Sequence, residues 1–295
     1  MRFKKVAVTP VFQRLYNAFC SKKYKQFVLQ GGMWSGKTRS ITDLLTLFML
    51  EPRAFGFEDK AYACETLSMT QGIVQNVMED FVASFDSLLH PNDVVITSRK
   101  GDTPTAFKIR NSTMQATSFD QPQKAKGRKM DWGFFNEADG ISRGVWLERY
   151  NRYRYGCFYD YNPTKISGYH YELAQRPDAW LDISTYKDNP FTPEHIVDEI
   201  LSWEFTNPNR YRIHALGQQG VFEGAVYPIW KKESFVWDRE AYALGVDFGQ
   251  VHPTAICLLG ASRADAIVRV KEIFYRSHVT PVSYTHLTLP TIYSV

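Results

Sequence analysis

The sequence is poor in cysteine and lacks any long apolar run. Its four cysteines are far apart and form no C-x-x-C pair: Cys20, Cys64, Cys157 and Cys257. This spacing argues against a structural zinc site and against a disulfide framework, and it fits a reducing cytoplasm. No segment approaches the roughly 18 consecutive apolar residues that a membrane span needs. We therefore expect a protein that does not interact with a membrane.

The sequence also lacks a signal segment and a strong excess of one charge. Met1–Lys5 is basic, but no apolar segment follows it, so secretion is not expected. The formal net charge of +4 permits a polyanionic partner without requiring one. Hydrophobic residues, in contrast, make up 44% of the 295 residues. That content is sufficient for the core of one large domain or of two ordinary ones.

One stretch of eight residues fits G-x-x-x-x-G-K-[ST], the pattern of a phosphate-binding loop (P-loop). Its residues are Gly31, Gly32, Met33, Trp34, Ser35, Gly36, Lys37 and Thr38. Glycines allow successive backbone N–H groups to turn toward phosphate oxygens. Lys37 would reach the β- and γ-phosphates, and the Thr38 hydroxyl would bind Mg²⁺. The pattern predicts that these eight residues bind a nucleotide.

The segments around the loop favour this interpretation over an incidental glycine-rich turn. Phe27–Leu29 is a short apolar run directly before the loop, as expected of a buried strand. After the loop, apolar residues recur at helical spacing from Ile41 to Leu50, and Pro52 ends the run. Strand, loop and helix in this order are what a P-loop requires.

Strands and helices alternate along the first 190 residues. The predicted strands are 61–65, 132–135 and 156–161, a helix covers 73–82, and a hairpin is formed by 106–110 and 113–117 around Asn111-Ser112. This alternation predicts an α/β domain with a mostly parallel sheet flanked by helices.

The alternation stops near Asp188. A helix is predicted over 196–205, and a stretch punctuated by glycine and proline follows, which indicates a connector. Three consecutive predicted strands, 242–247, 254–259 and 266–270, then suggest the start of a second domain.

Hydrolysis of a nucleotide needs an acidic group at the end of a neighbouring strand, and Glu137 is the best candidate. It follows the strand 132–135, at the carboxyl end where ligands of open α/β sheets bind. In P-loop ATPases the residue before this glutamate is usually aspartate, whereas Asn136 stands here, and Asp139 is a candidate to compensate. The alternative is that residues 136–139 only cap the next helix.

Taken together, six segments resemble the large terminase subunit of tailed bacteriophages. They are Gly31–Thr38, Phe134–Ala138, Tyr161–Pro163, Tyr186–Phe191, Gly217–Gly220 with Val226–Pro228, and Gly245–Gly249. This family couples an N-terminal ATPase to a C-terminal nuclease with a ribonuclease H-like fold. The resemblance implies that ATP hydrolysis drives double-stranded DNA into a procapsid. Implied partners are the portal protein, the small terminase subunit and further copies in a ring, in the host cytoplasm.

The resemblance also assigns roles to single residues. Asn162 would couple the γ-phosphate to movement, and Asn136 would join Thr38 in holding the Mg²⁺ that accompanies ATP. Asp247 would be the first acid that binds Mg²⁺ or Mn²⁺ in the nuclease. Lys37 and Glu137 would be catalytic.

An arginine that stabilises transition-state charge is the part least defined by the sequence. Many relatives carry arginine early in the loop, where this chain has Met33. Arg128 is the best substitute, acting on the ATP of a neighbouring subunit, and Arg39 is a second candidate. Alternatively, Arg128 is a solvated charge of the basic loop 124–129, or that loop contacts DNA. Further DNA-contact candidates are Lys108, Arg110 and Lys126.

We expect an ATPase domain over 1–187, a connector over 188–238 and the start of a nuclease domain over 239–281. Val282 to Thr291 looks like one reading frame of a transposase-end sequencing adapter. We therefore expect 282–295 to be an artefact rather than a genuine C-terminal strand, and the nuclease to be incomplete.

Two other functions remain open. One is a different P-loop enzyme, such as a helicase or a nucleotide kinase. The other is an assembly protein that binds nucleotide without hydrolysing it, which Asn136 and Met33 make plausible.

Overall fold

The structure, a computed structural model, describes residues 8–118, 129–221, 241–248, 253–261 and 267–276. The chain divides into two compact units, Met1–Pro228 and Ile229–Val295, and each is described here by itself. The predicted boundaries at residues 187, 238 and 281 stay predictions. The tail 282–295 lies outside the described residues.

The helices within the described residues all belong to unit 1. They are α1 (Pro10–Cys20), α2 (Lys37–Leu50), α3 (Gln71–Leu88), α4 (Arg143–Tyr150), α5 (Tyr169–Ala174), α6 (Glu194–Thr206) and α7 (Pro208–His214). None of these helices is both long and apolar enough to span a membrane.

Eight strands of unit 1 form one sheet. They are β1 (Gln26–Gly31), β2 (Ala63–Ser68), β3 (Val94–Lys100), β4 (Thr103–Ile109), β5 (Ser112–Ser118), β6 (Met130–Phe135), β7 (Tyr153–Tyr161) and β8 (Ala179–Ser184).

The strand order is β3-β4-β5-β2-β6-β7-β1-β8. All neighbours from β5 to β8 pair in parallel, and only β3, β4 and β5 pair with one another antiparallel. The prediction of an α/β domain with a mostly parallel sheet and flanking helices is thereby confirmed. Because β7 lies between β1 and β6, the loop after β1 and the end of β6 are separated by a single strand.

Side chains of the central strands alternate between two cores, which explains why the sheet is covered on both faces. Phe27 and Leu29 of β1 pack with α1, α2 and α3, while Val28 between them packs on the opposite side with α4 and α5. In β7, Phe158 joins the first core and Tyr159 the second. A side chain on β7 therefore faces α2 only at every second position.

Several predicted elements are present with shifted ends. Strand β2 begins two residues later than predicted and continues to Ser68, and the hairpin turn lies at Arg110-Asn111 instead of Asn111-Ser112. Ser112 belongs to β5 because it pairs with Ile109 of β4, and its hydroxyl accepts the backbone N–H of Tyr62 at 3.1 Å. Helix α1 was not predicted, although Thr9 caps it and Pro10 opens it.

Unit 2 contains three strands within its described residues, arranged in the order β11-β10-β9. Strands β9 (Ala241–Asp247), β10 (Thr254–Ala261) and β11 (Val268–Arg276) pair antiparallel with their neighbours. The predicted run of three strands is therefore present, with β11 longer than expected. Its assignment to a ribonuclease H-like domain stays a prediction.

Candidate nucleotide-binding site

The predicted P-loop connects β1 to α2. All six residues of β1 are buried, so the loop starts from a rigid strand. Gly36 takes a φ of 82° and Trp34 a φ of 59°, a left-handed conformation that is costly for tryptophan. A Cβ atom on Gly32 would lie 2.0 Å from the carbonyl oxygen of His214. The loop thus needs glycine for close packing at one position and for backbone conformation at another.

Lys37 is buried at the start of α2, and its ammonium group points back over the loop. Nζ donates to the carbonyl oxygen of Gly32 at 3.1 Å and to Oδ1 of Asn162 at 2.6 Å. Burial lowers the pKa of Lys37, and the nearby carboxylates of Asp160, Asp139 and Glu137 oppose this shift. The contact brings the predicted loop lysine and the predicted coupling residue together.

Thr38 leads to an acid that the sequence motifs did not identify. Its hydroxyl donates to Oδ2 of Asp160, near the end of β7. The other oxygen, Oδ1, accepts the backbone N–H of Glu137 at 2.9 Å. Burial raises the pKa of Asp160, while Lys37 and these hydrogen bonds oppose that shift. Asp160 therefore joins the P-loop helix to the end of β6.

Asn136 is buried beside the same carboxylate. Its Nδ2 lies 3.1 Å from Oδ1 and 3.3 Å from Oδ2 of Asp160, and its Oδ1 accepts from the hydroxyl of Ser68 at 3.2 Å. Since a carboxylate only accepts hydrogen bonds, the amide must turn its nitrogen toward Asp160. Both ends of the Asn136 amide are thus engaged by protein groups.

Glu137 begins the turn after β6 in a left-handed conformation, with φ 50° and ψ 54°. Non-glycine residues adopt such angles at a cost, and they do so most often at functional sites. Desolvation, together with Asp160 and Asp139, raises the pKa of Glu137, and Lys37 opposes this. Its side chain is exposed, and its backbone is fixed by the bond to Asp160.

Residues after β8 cover the P-loop from outside. The backbone N–H of Met33 donates to Nδ1 of His214 at 3.3 Å, and Asn189 donates to the carbonyl oxygen of Trp34 at 2.8 Å. Burial, Arg210 and Lys37 lower the pKa of His214 to about 4. The Met33 side chain packs against a cluster formed by α6 and its surroundings, where an arginine would lose its solvation.

A cleft of about 740 Å³ adjoins this cover. Its walls include Thr164 to Ser167 after β7 and Asn207, Arg210 and His214 around α7. The cleft is open and has polar and apolar walls, and His214, one of its lining residues, also accepts the backbone N–H of Met33 in the loop.

The residues at the loop fit ATP and Mg²⁺ by their chemistry. The hydroxyl oxygen of Ser35 is buried with no hydrogen-bond partner in the described residues, although such groups are nearly always paired. A Cβ atom on Gly31 would lie 2.4 Å from the carbonyl oxygen of Ser184, and one on Gly32 would lie 2.0 Å from that of His214, so both positions require glycine for packing. Within the described ranges no group of three or more His, Cys, Asp or Glu is arranged to hold a metal. Mg²⁺ is commonly held by one or two protein oxygens together with substrate phosphates.

The other predicted site residues stand as follows. Arg128, with Lys126 and most of the basic loop, lies outside the described residues. Arg39 is engaged with α2 and α3, bonding Asp43 at 2.8 Å and Ser87 at 2.6 Å. Asp247 is the last residue of β9 in unit 2.

The sequence carried a signal for Asp160 that motif matching passed over. A carboxylate stands in the otherwise apolar strand Gly156–Tyr161, and buried acids are rare without a reason. His214 carried no such signal, and Asn189 was identified only as part of the segment Tyr186–Phe191, because their contacts with the loop span more than 150 residues of chain.

The sequence matches no protein-family model and no curated protein. Solved structures do match. The large terminase of a thermophilic bacteriophage aligns with a TM-score of 0.60 and 14% identity, over 98% of this chain and 75% of that one. The HK97 bacteriophage large terminase aligns at 0.57 and 13%, over 90% of this chain and 63% of that one.

A third match is limited to the ATPase region. A mutant of the Thermus phage P74-26 large terminase ATPase domain aligns with a TM-score of 0.52 and 16% identity, over 70% of this chain and 93% of that domain. The fold is that of the large terminase ATPase domains. The first of the three terminases, from the thermophilic bacteriophage, has also been solved with ADP and with ATP-gamma-S, and these complexes align with TM-scores of 0.60 and 0.59.

Proposed function

We propose that this chain is the ATPase subunit of a viral motor that packages double-stranded DNA. One observation carries the proposal: Lys37 and Thr38 of the P-loop meet Asn162 and Asp160 of β7 and its end, with Glu137 adjoining them. Binding, hydrolysis and coupling groups thus adjoin one another. The terminase fold favours a packaging motor over other P-loop enzymes.

The loop would bind the phosphates through its backbone N–H groups and the N-terminus of α2. Lys37 would move its ammonium from the Gly32 carbonyl to the β- and γ-phosphates, where its charge offsets theirs. Thr38 would hold Mg²⁺ through its hydroxyl oxygen. Asn136, the second predicted contact, would instead hold Asp160, because both ends of its amide are engaged by protein groups. A bound Mg²⁺ would supply positive charge that offsets the charge developing on the phosphates.

Glu137 would act on the attacking water. The residue is accessible to solvent, while its backbone N–H is fixed by Asp160. Desolvation and the neighbouring acids raise the pKa of Glu137, which makes it a better proton acceptor than an ordinary glutamate. The side chain can therefore orient a water and accept its proton.

Asn162 would transmit the state of the phosphate site. It holds Lys37, and the next residue, Pro163, accepts the backbone N–H of Gly220 at 2.8 Å. The hydroxyl of Thr164 lies 3.4 Å from Oδ2 of Asp139, in the turn that follows Glu137. When Lys37 turns toward a γ-phosphate, the segment after Asn162 loses an anchor and becomes free to shift.

The remaining assignments follow the terminase resemblance. Double-stranded DNA would be the substrate, and the portal protein, small terminase subunit and further copies in a ring would be the partners. The arginine would come from Arg128 of a neighbouring copy. Asp247 would be the first metal-binding acid of a ribonuclease H-like nuclease.

The test is Mg²⁺-dependent ATP hydrolysis with and without long double-stranded DNA. Lys37→Ala should abolish nucleotide binding and turnover, whereas the exposed control Lys23→Ala should leave both unchanged. A wild-type chain that binds ATP yet never hydrolyses it, even on DNA, would instead favour a nucleotide-binding assembly protein. Separation of DNA strands would favour a helicase.

A further inference from the structure

We infer that Asp160 supplies, from β7, the carboxylate that the end of β6 lacks for positioning Thr38 and the Mg²⁺ beside it. This inference rests on the proposed ATPase function. At the end of β6 the first position is Asn136, whose amide brings no charge to a cation. The structure therefore raises the question of which group balances the metal.

Asp160 is placed for this task by the sheet. Phe135 of β6 pairs with Tyr159 of β7, so Asn136 and Asp160 come level at the next position. Side chains of β7 alternate between the two faces, and Asp160 is on the face of Phe158, toward α2. The first turn of α2 carries Thr38, whose hydroxyl reaches the carboxylate.

The direction of the Thr38 hydrogen bond matters for metal binding. A carboxylate cannot donate, so the hydroxyl proton of Thr38 must point at Asp160. The lone pairs of the Thr38 oxygen are then left free for a cation. Groups that orient a metal ligand in this way commonly change metal affinity by 10–100-fold when they are removed.

Asp160 is also a buried carboxylate whose direct partners bring no charge. It is 1% exposed, and its donors in the described residues are the hydroxyl of Thr38, the amide of Asn136 and the backbone N–H of Glu137. Lys37 acts on it only through space, because that ammonium bonds Asn162 and the loop. Burying a carboxylate is costly unless an opposite charge accompanies it. A divalent cation at Thr38 would supply that charge.

Asn136 then has a positioning role of its own. Its Nδ2 spans both oxygens of Asp160, and its Oδ1 is held by Ser68. The acid here stands on β7 and the amide on β6, whereas the usual Asp-Glu pair places the acid at the end of β6. This placement explains why Asn136 need not abolish metal binding.

The experiment measures the affinity for ADP and ATP-gamma-S in Mg²⁺ and in EDTA. For each variant we compare the ratio of the affinity in Mg²⁺ to the affinity in EDTA. In Asp160→Asn this ratio should fall by at least about tenfold relative to wild type, while the affinity in EDTA should be unchanged or slightly higher. The control Asp131→Asn, a buried aspartate near the other end of β6, should keep the wild-type ratio. An Asp160→Asn variant with the wild-type ratio would overturn the inference.

A reciprocal swap guards against a variant that fails to fold. Asn136→Asp combined with Asp160→Asn keeps one carboxylate and one amide in contact, so it should regain most of the Mg²⁺ advantage. A folded double variant that binds nucleotide no more tightly in Mg²⁺ than in EDTA would contradict the inference. A wild-type chain that binds no nucleotide would overturn the proposed function and this inference together, whereas normal binding with an unaffected Asp160→Asn would overturn the inference alone.

Discussion

Two buried carboxylates in the same sheet, Glu65 and Asp160, have opposite surroundings. Glu65 of β2 is 2% exposed and is ion-paired to Arg149 of α4, with further bonds from Tyr153 at 2.9 Å and Thr117 at 2.7 Å. Asp160 of β7 is equally buried, but its donors are uncharged.

This difference indicates that Glu65 stabilises the fold, whereas Asp160 belongs to the nucleotide site. The charge of Glu65 is neutralised within the protein, so the group has no need of a ligand. Asp160 lies near the carboxyl end of its strand, where ligands of α/β sheets bind, and it contacts the P-loop helix. Changes around Glu65 should therefore alter the free energy of unfolding, while changes around Asp160 should alter nucleotide binding and turnover.

The largest stability effect is expected at Arg149. Arg149→Met would leave Glu65 buried without its counterion, which costs about 3–5 kcal/mol of unfolding free energy. Denaturant titration measures this loss, and the nucleotide affinity of the folded protein should not change. The exposed pair Arg143–Glu172 gives the control, since Arg143→Met should cost less than about 1 kcal/mol. Equal losses of unfolding free energy in Arg149→Met and Arg143→Met would contradict the stabilising role of the buried Arg149–Glu65 pair.

The next effect is expected in the loop itself. A Cβ atom on Gly32 would collide with the His214 backbone at 2.0 Å, whereas on Gly36 the nearest atom is 3.9 Å away. Gly32→Ala should displace α7 or the loop and cost about 1–3 kcal/mol, with a large loss of ADP affinity. Gly36→Ala should cost about 1–2 kcal/mol through its positive φ alone. A Gly32→Ala variant that binds ADP normally would contradict this packing.

A smaller effect is expected from Asn162. Its loss leaves Lys37 with only the Gly32 carbonyl as acceptor, and hydrogen bonds to charged groups contribute about 1.5–3 kcal/mol. Asn162→Ala should reduce ATP turnover by about tenfold or more while changing ADP affinity less. Asn151→Ala is the control, because it removes an exposed hydrogen bond from the Asn151 amide to the carbonyl oxygen of Leu147 at the end of α4. An effect on ADP affinity alone would argue for binding rather than coupling.

The smallest effect is a pH dependence at His214. Its pKa is about 4 in the folded protein and 6.5 ordinarily, so the unfolded chain binds more protons between these values. The stabilisation by neutral His214 is therefore complete above pH 6.5 and lost as pH falls toward 4. His214→Asn keeps an acceptor for the Met33 N–H without titrating. Its unfolding free energy should decline less than that of wild type between about pH 7 and pH 5, and identical declines would refute the assignment.

The sequence was sufficient to predict the local parts of this arrangement. The P-loop, its flanking strand and helix, and the parallel sheet each follow from periodicity or from a contiguous motif. The role of Asn162 was implied by the resemblance and stays a prediction; the structure shows its contact with Lys37.

Contacts made across the sheet could not be predicted in the same way. The level pairing of Asn136 with Asp160 depends on β6 and β7 being neighbours in a particular register. The contacts of Asn189 and His214 with the loop depend on how the segment after β8 and α7 pack against it. The motif at the end of β6 shows an amide, Asn136, where a carboxylate is usual. The carboxylate that compensates for it, Asp160, is on the adjacent strand β7, which a contiguous motif does not include.

The central claim is that Glu137, after β6, acts on the attacking water, while Asp160, on β7, positions Thr38 and Mg²⁺. It is tested most directly at Glu137. Glu137→Gln should bind ADP and ATP-gamma-S with wild-type affinity and lose ATP turnover by about 10²–10⁴-fold, because the amide cannot accept a proton from water. The exposed glutamate Glu148 provides a matched control, and Glu148→Gln should keep wild-type turnover. Turnover unchanged in Glu137→Gln would contradict the account, since β6 would then not supply the group that acts on water.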